Sequence, residues 1–350
     1  MTEKRDYLFD NIKGAVIFLV VWEHFLGETI RSGSVAGDVL CTSILMFHMS
    51  VMMFVSGYFS KNLEKNTPEN SIRRILIPYL LISLLTAVIG KIATGEFVLE
   101  IFKPTFAMWY IVVLFFYRLC LSYLVKVRGV LFWSFLLAMV SGMFPEIASY
   151  PTMGRFLTNL PFFLMGYYCS EAFVNKLRGW MRRPEQCILL AAFLILTLGT
   201  TGLYVENAWS SNIYRNNTTY AAAKMSDLQG MGCRVLFYLI GIFAILCFLT
   251  CFSRRKSFLC KAGKNSLVVY FFHIYFYEIV CRLEFLKGGA LWQFLLVTVF
   301  AVFTVWVLSM DLWSRIFHQI IQWTGDLIFG RNAPQKKGLA ARGEREDQAK

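Results

Sequence analysis

Charge is scarce in this chain: of 350 residues only 16% are charged, against 57% hydrophobic and 17% aromatic. An ordinary soluble domain carries charge on about a quarter of its residues. The shortage therefore excludes that class and leaves a polytopic membrane protein. Nine cysteines lie scattered, mostly in apolar runs; none form a Cys-x-x-Cys pair, and Cys247 with Cys251 is ordinary helical spacing. Neither a disulfide framework nor a zinc site is expected, and no metal is assigned. An internal repeat and an appended soluble domain are also missing. The apolar run after Asp10 holds Lys13 and offers no small-residue cleavage site, so it is expected to stay as a span instead of leaving as a signal peptide. The formal charge of +13 is spread between apolar runs without forming one patch, which argues against nucleic acid as a partner.

What is present is a succession of apolar runs long enough to cross hydrocarbon. They fall near 8–27, 39–60, 74–95, 105–124, 129–147, 157–174, 186–204, 233–252, 266–283 and 290–310. The expected fold is all-α, a polytopic integral membrane helical bundle of about ten transmembrane helices. With the N-terminus in the cytoplasm, inner connections hold 15 Lys and Arg and outer ones 8. The positive-inside rule then puts both termini in the cytoplasm. Residues 1–330 are expected to form the transmembrane domain and 331–350 a basic, disordered cytoplasmic tail. Trp313 to Phe329 reads as a helix lying on the inner membrane face. The longest outer loop, roughly 205–232, is polar and is either functional or a solvated cover.

The first run carries Asp10, Lys13, Glu23 and His24. Ionisable groups inside a span are costly there and mark functional candidates. At about 100° per residue, Lys13 and His24 fall within about 20° of one line, and Asp10 lies about 40° from His24. Some ~16 Å of helical rise separates Lys13 from His24, so one polar stripe leads from a cation to an imidazole. The bland alternative is that Lys13 snorkels to the surface and His24 satisfies a neighbouring helix. Glu23, about 100° away from His24, is expected to pair with another span. Arg118 and Glu171, both within apolar runs, are a further candidate pair.

The order Arg5-Asp-Tyr-x-x-Asp-Asn-x-Lys-Gly14, followed by Val20-Val-x-x-His24, resembles the first helix of the acyltransferase-3 family of membrane proteins, and its fucose 4-O-acetylase-like branch in particular. In that family a basic residue, ten intervening residues and a histidine mark the first span; Lys13 and His24 match. A second block, Phe47-His-Met-Ser-Val-Met-Met-Phe-Val-Ser-Gly-Tyr-Phe59, resembles the family's second-helix motif, with Ser50 at a usual proline and Met52 at an aromatic position. The resemblance implies acetyl transfer from cytoplasmic acetyl-CoA to a hydroxyl of an exported or lipid-linked glycan. It makes His24 and His48 the catalytic candidates. Lys13 with Arg73 or Arg74 would hold the donor's phosphates, although the family's Arg-x-x-Arg is here an adjacent pair. Asp10, Trp109 and Tyr110 are the expected acceptor contacts; for Trp109 and Tyr110 an interfacial aromatic belt is the alternative. His273 matches a late family motif, as a structural hydrogen bond or a substrate contact.

A transporter of a glycan precursor or anionic metabolite is the competing class, its polar residues forming a path and proton relay. A non-catalytic subunit of a polysaccharide assembly complex is a third, though it needs neither Lys13 nor the histidines. The expected partners are the glycan acceptor, membrane lipid, and either polysaccharide assembly machinery or a second copy of the chain. The expected location is a bacterial cytoplasmic membrane.

Overall fold

Long runs of Leu, Ile, Val and Phe with few helix breakers give a chain whose regular elements, among the described residues, are all helical. The computed structural model describes residues 6–101, 104, 107–149 and 151–330, so the expected tail over 331–350 lies outside the described residues. In chain order the helices are α1 (Leu8–Thr29), α2 (Val35–Leu45), α3 (His48–Tyr58), α4 (Pro68–Ser71), α5 (Ile77–Thr94) and α6 (Trp109–Leu124). Then follow α7 (Val130–Val140), α8 (Pro145–Ser149), α9 (Pro151–Tyr168), α10 (Glu171–Trp180), α11 (Arg183–Glu206) and α12 (Asn212–Arg215). The last are α13 (Asp227–Cys251), α14 (Leu259–Lys264), α15 (Ser266–Cys281), α16 (Leu291–Leu308) and α17 (Asp311–Phe329).

Among the described residues helices underlie the expected apolar segments, although 157–174 is interrupted at Cys169–Ser170 between α9 and α10. Five stretches are long and apolar enough to cross a membrane by themselves: Val35–Tyr58, Pro68–Thr94, Arg183–Glu206, Asp227–Cys251 and Leu291–Leu308. Trp109–Leu124, Val130–Met143 and Ser266–Cys281 are also apolar but shorter. The peripheral helices α5, α11 and α16 turn Ile92, Ile195, Val299 and Trp306 outward, an exposed apolar surface that water would not tolerate.

The first helix is the axis of the bundle. Leu8, Ile12, Val16, Ile17, Val20, Val21, Phe25 and Leu26 are all buried, and α1 packs against α2, α3, α14, α15 and α16. Two close crossings set the geometry. A Cβ on Gly14 would lie 2.1 Å from the Leu259 carbonyl oxygen, and one on Gly263 would lie 1.8 Å from that of Asp10. Likewise a Cβ on Gly57 would meet Phe163 O at 1.9 Å, and one on Gly166 would meet Phe54 O at 1.9 Å. Reciprocal glycines bring α1 onto α14 and α3 onto α9 at backbone contact, where dispersion is strongest. Asn11 completes the first contact by donating to Ser253 O (2.7 Å) and Arg255 O (2.9 Å).

Two irregularities matter for the site. The expected span 39–60 is broken at Met46–Phe47, so His48 opens a new helix inside the bundle. The chain through Ile72–Leu76 widens to a π-helix that carries Arg73 and Arg74. The amphipathic helix expected from Trp313 to Phe329 forms as α17; it buries Phe317 and exposes Leu312, Ile316, Ile320 and Trp323.

Replacing Gly57 or Gly14 by valine should force backbones apart, costing about 1–3 kcal/mol or more. Melting curves of the detergent-purified variants check this; unchanged melting of both would contradict the close crossings.

Candidate functional site

A cavity of about 340 Å³ opens between α1, the α2–α3 break, the start of α6 and the loop around α12. That size is at the lower end of small-ligand sites, ~300–1,000 Å³. His24, His48 and Trp109 line it together, as do Glu23, Arg155, Tyr214, Arg215, Asn217 and Tyr270. Three residues chosen from the sequence thus meet in one place.

The histidines are held in defined tautomers. His273 Nδ1 faces two carbonyl oxygens, Tyr270 O at 2.7 Å and Val269 O at 3.1 Å. Carbonyls only accept, so Nδ1 carries the hydrogen and a neutral His273 presents Nε2 as an acceptor. That Nε2 lies 2.9 Å from His24 Nδ1, and the rings are nearly parallel, 23° apart. His24 Nδ1 therefore donates, which leaves the lone pair of a neutral His24 on Nε2. Glu23 Oε2 sits 3.6 Å from that Nε2. The other imidazole follows the same logic: His48 Nδ1 donates to Ile44 O at 2.7 Å across the helix break, placing its acceptor nitrogen at Nε2.

Glu23 does not pair with another span. Its Oε1 lies 3.8 Å from Arg215 Nη2 in the loop, and its Oε2 reaches back to the ring of its own neighbour. The 100° between adjacent Cβ directions does not prevent this, because a two-methylene side chain can fold along the helix. The loop carrying Arg215 is pinned from below. Asn216 adopts a left-handed backbone (φ 56°), and its Oδ1 accepts from the buried Arg234, which also donates to Thr158 Oγ1 at 3.0 Å. Tyr214 is 3% exposed with a hydroxyl that has no hydrogen-bond partner among the described residues, and burial pushes that phenol's pKa up.

Other expected site residues lie elsewhere. Tyr110 is one residue from Trp109, about 100° round the helix, and turns away from the cavity to Ser56. Since Ser56 Oγ donates to Met52 O, the Tyr110 hydroxyl donates to Ser56 at 2.6 Å. Asp10 lines a second cavity of about 320 Å³ with Asp6, Tyr58, Phe59, Glu171 and Arg254. Lys13, which does not line that cavity, is 3.1 Å from Asp10 and 5.3 Å from the Phe59 ring centre. Arg73 is already engaged, bonding Glu69 and Asp326 (3.0 Å each) and Gly330 O (3.2 Å), so it latches α17. Arg74 is exposed. Arg118 and Glu171 form no ion pair among the described residues.

Sequence reasoning missed Arg155, Tyr214 and Arg215, and left His273 undecided. The polar run Tyr214-Arg-Asn-Asn217 in the longest loop was the available signal; Arg155, at the start of an apolar helix, gave little.

Neither the curated proteins nor the solved structures contain a match to this chain. The family model described as an acyltransferase domain, of the acyltransferase-3 type, matches residues 6–310. That match takes in both motif-bearing helices and every residue of the histidine cavity, and with the apolar helices it makes the chain an integral membrane acyltransferase. The chain belongs to the acyltransferase-3 family.

Proposed function

We propose that this protein is a membrane-bound O-acetyltransferase, moving acetyl from cytoplasmic acetyl-CoA to a hydroxyl of an exported or lipid-linked glycan. In this reading ten helices cross a bacterial cytoplasmic membrane and both termini are cytoplasmic. The observation that carries it is the His273–His24 hydrogen bond, which holds a neutral base with Nε2 beside the cavity. The fucose 4-O-acetylase likeness rests on the helix motifs.

In the reaction, His24 Nε2 takes the proton of the acceptor hydroxyl as its oxygen attacks the thioester carbon. The imidazolium that forms is balanced by Glu23 at 3.6 Å. Negative charge developing on the carbonyl oxygen meets the donors of Tyr214 and Arg215, two residues that line the cavity. His24 then returns its proton to the departing CoA thiolate, giving free CoA and the acetyl ester. His48, whose Nε2 accepts, orients a second sugar hydroxyl. Beside the other cavity Lys13 exchanges Asp10 for a donor phosphate, with Arg74 the second candidate phosphate contact; Arg73 stays with Asp326.

One observation favours transport instead: the α2–α3 break at a polar cavity resembles the interrupted helices of carriers. Binding of a non-hydrolysable CoA analogue separates the two classes.

With radiolabelled acetyl-CoA and a glycan extract, His24→Ala should lose about 10²- to 10⁴-fold in transfer while inserting normally. Transfer at the wild-type rate would remove His24 from the mechanism. His273→Ala should lower kcat about 10- to 100-fold with little change in either KM, as when the partner orienting a catalytic ring is lost. His273→Gln, whose amide oxygen can accept from His24, should recover part of that; equal loss in both would indicate a packing role. Lys13→Ala should raise the KM for acetyl-CoA and leave the acceptor KM unchanged in steady-state assays.

A further inference from the structure

The cavity holds two guanidinium groups, and only one of them has a carboxylate among the described residues. Arg215 faces Glu23. Arg155 has none there: its one hydrogen bond among the described residues runs from Nε to Arg215 O at 3.0 Å. Its guanidinium lies 4.9 Å from the Trp109 ring centre, which fixes the plane of the fork by cation–π contact. Anchored at Nε and at one face, the side chain keeps both terminal nitrogens for a ligand in the cavity it lines. An uncompensated, largely sheltered cation is costly, and a planar fork of this kind suits carboxylate or phosphate oxygens. Beside it, the buried Tyr214 hydroxyl and Asn217 Oδ1, from two residues that line the cavity, have no hydrogen-bond partner among the described residues.

We propose that the acceptor sugar is anionic, bearing a carboxylate or a phosphate, and that Arg155 binds that group while His24 addresses a hydroxyl. The inference rests on the acyl-transfer reading and names the substrate class for the same cavity. Arg155 sets acceptor choice through binding and takes no part in the proton transfer.

The test uses full-length protein in lipid nanodiscs with radiolabelled acetyl-CoA. The acceptors are glycans extracted from the source cells, split by anion exchange into neutral and anionic fractions. Label should enter the anionic fraction. Reduction of carboxyl groups or phosphatase treatment should abolish it, and whichever does so identifies the charged group. Arg155→Gln keeps a donor for Arg215 O but removes the charge. It should raise the KM for the anionic fraction about 10- to 100-fold, the loss of one charge-assisted fork. Its KM for acetyl-CoA should not move, and Arg155→Lys should fall between. Label confined to the neutral fraction, or surviving both treatments, overturns the proposal while leaving acyl transfer intact. A raised donor KM would reassign Arg155 to CoA, and a kcat loss with unchanged acceptor KM would reassign it to the reacting oxygen; either overturns the proposal. Label in neither fraction with the wild type removes the acyl-transfer reading and this inference with it.

Discussion

A polar group placed inside an apolar bundle must find its partner there, and the structure is organised by how α1 meets that demand. Buried on nearly all sides, this helix carries Asp10, Asn11, Lys13, Glu23 and His24. Each is answered by a different part of the chain or by α1 itself. Asp10 and Lys13 pair along one helix face, Asn11 holds the segment before α14, Glu23 meets Arg215, and His24 meets His273. Leaving any of these unmatched would cost several kcal/mol. Satisfying them fixes which helices surround α1 and in what register.

The same demand explains the irregular backbone. A helix interrupted within a bundle exposes carbonyls that need donors. At the α2–α3 break, Ile44 O receives Phe47 N (3.2 Å) and the His48 ring (2.7 Å). The break therefore costs no orphaned carbonyl at Ile44, and it turns an imidazole into the cavity. The π-helix does something comparable at the opposite end, presenting Arg73 to Asp326 so that α17 is strapped across α5.

Much of this was legible in the sequence and some was not. The apolar runs located the helices, because burial in lipid or in protein selects the same residues over the same lengths. The stripe of α1 located His24, and the second motif located His48. The motif Asp10-Asn-x-Lys-Gly14 was legible as a pattern, yet two of its residues turn out to serve packing: Asn11 ties down a distant segment and Gly14 admits its backbone. Arg155 and Arg215 were read as outer-loop charges counted for orientation. Their convergence depends on Asn216 taking a left-handed turn and on Arg234 drawing the loop down, tertiary facts with no local periodicity. Tyr110 illustrates the opposite error of scale, since a shift of one residue on a helix sends a side chain to a different neighbour.

The partner chosen for His24 follows from where it sits. Catalytic imidazoles in wetter sites are commonly backed by a carboxylate, which here would have to lie behind the ring, in the apolar interior. Such a buried anion would carry a desolvation penalty of several kcal/mol without a cation to offset it. A neutral histidine oriented by two backbone carbonyls performs the same directional task with no net charge. The carboxylate stands instead on the cavity side, where Arg215 balances it and where, in the proposed mechanism, the proton arrives. In the proposed mechanism, orientation and charge compensation, one residue's work in the usual triad, are divided between His273 and Glu23. On the proposed reading, that division would let His24 serve as a base inside a bundle too apolar to hold a lone anion.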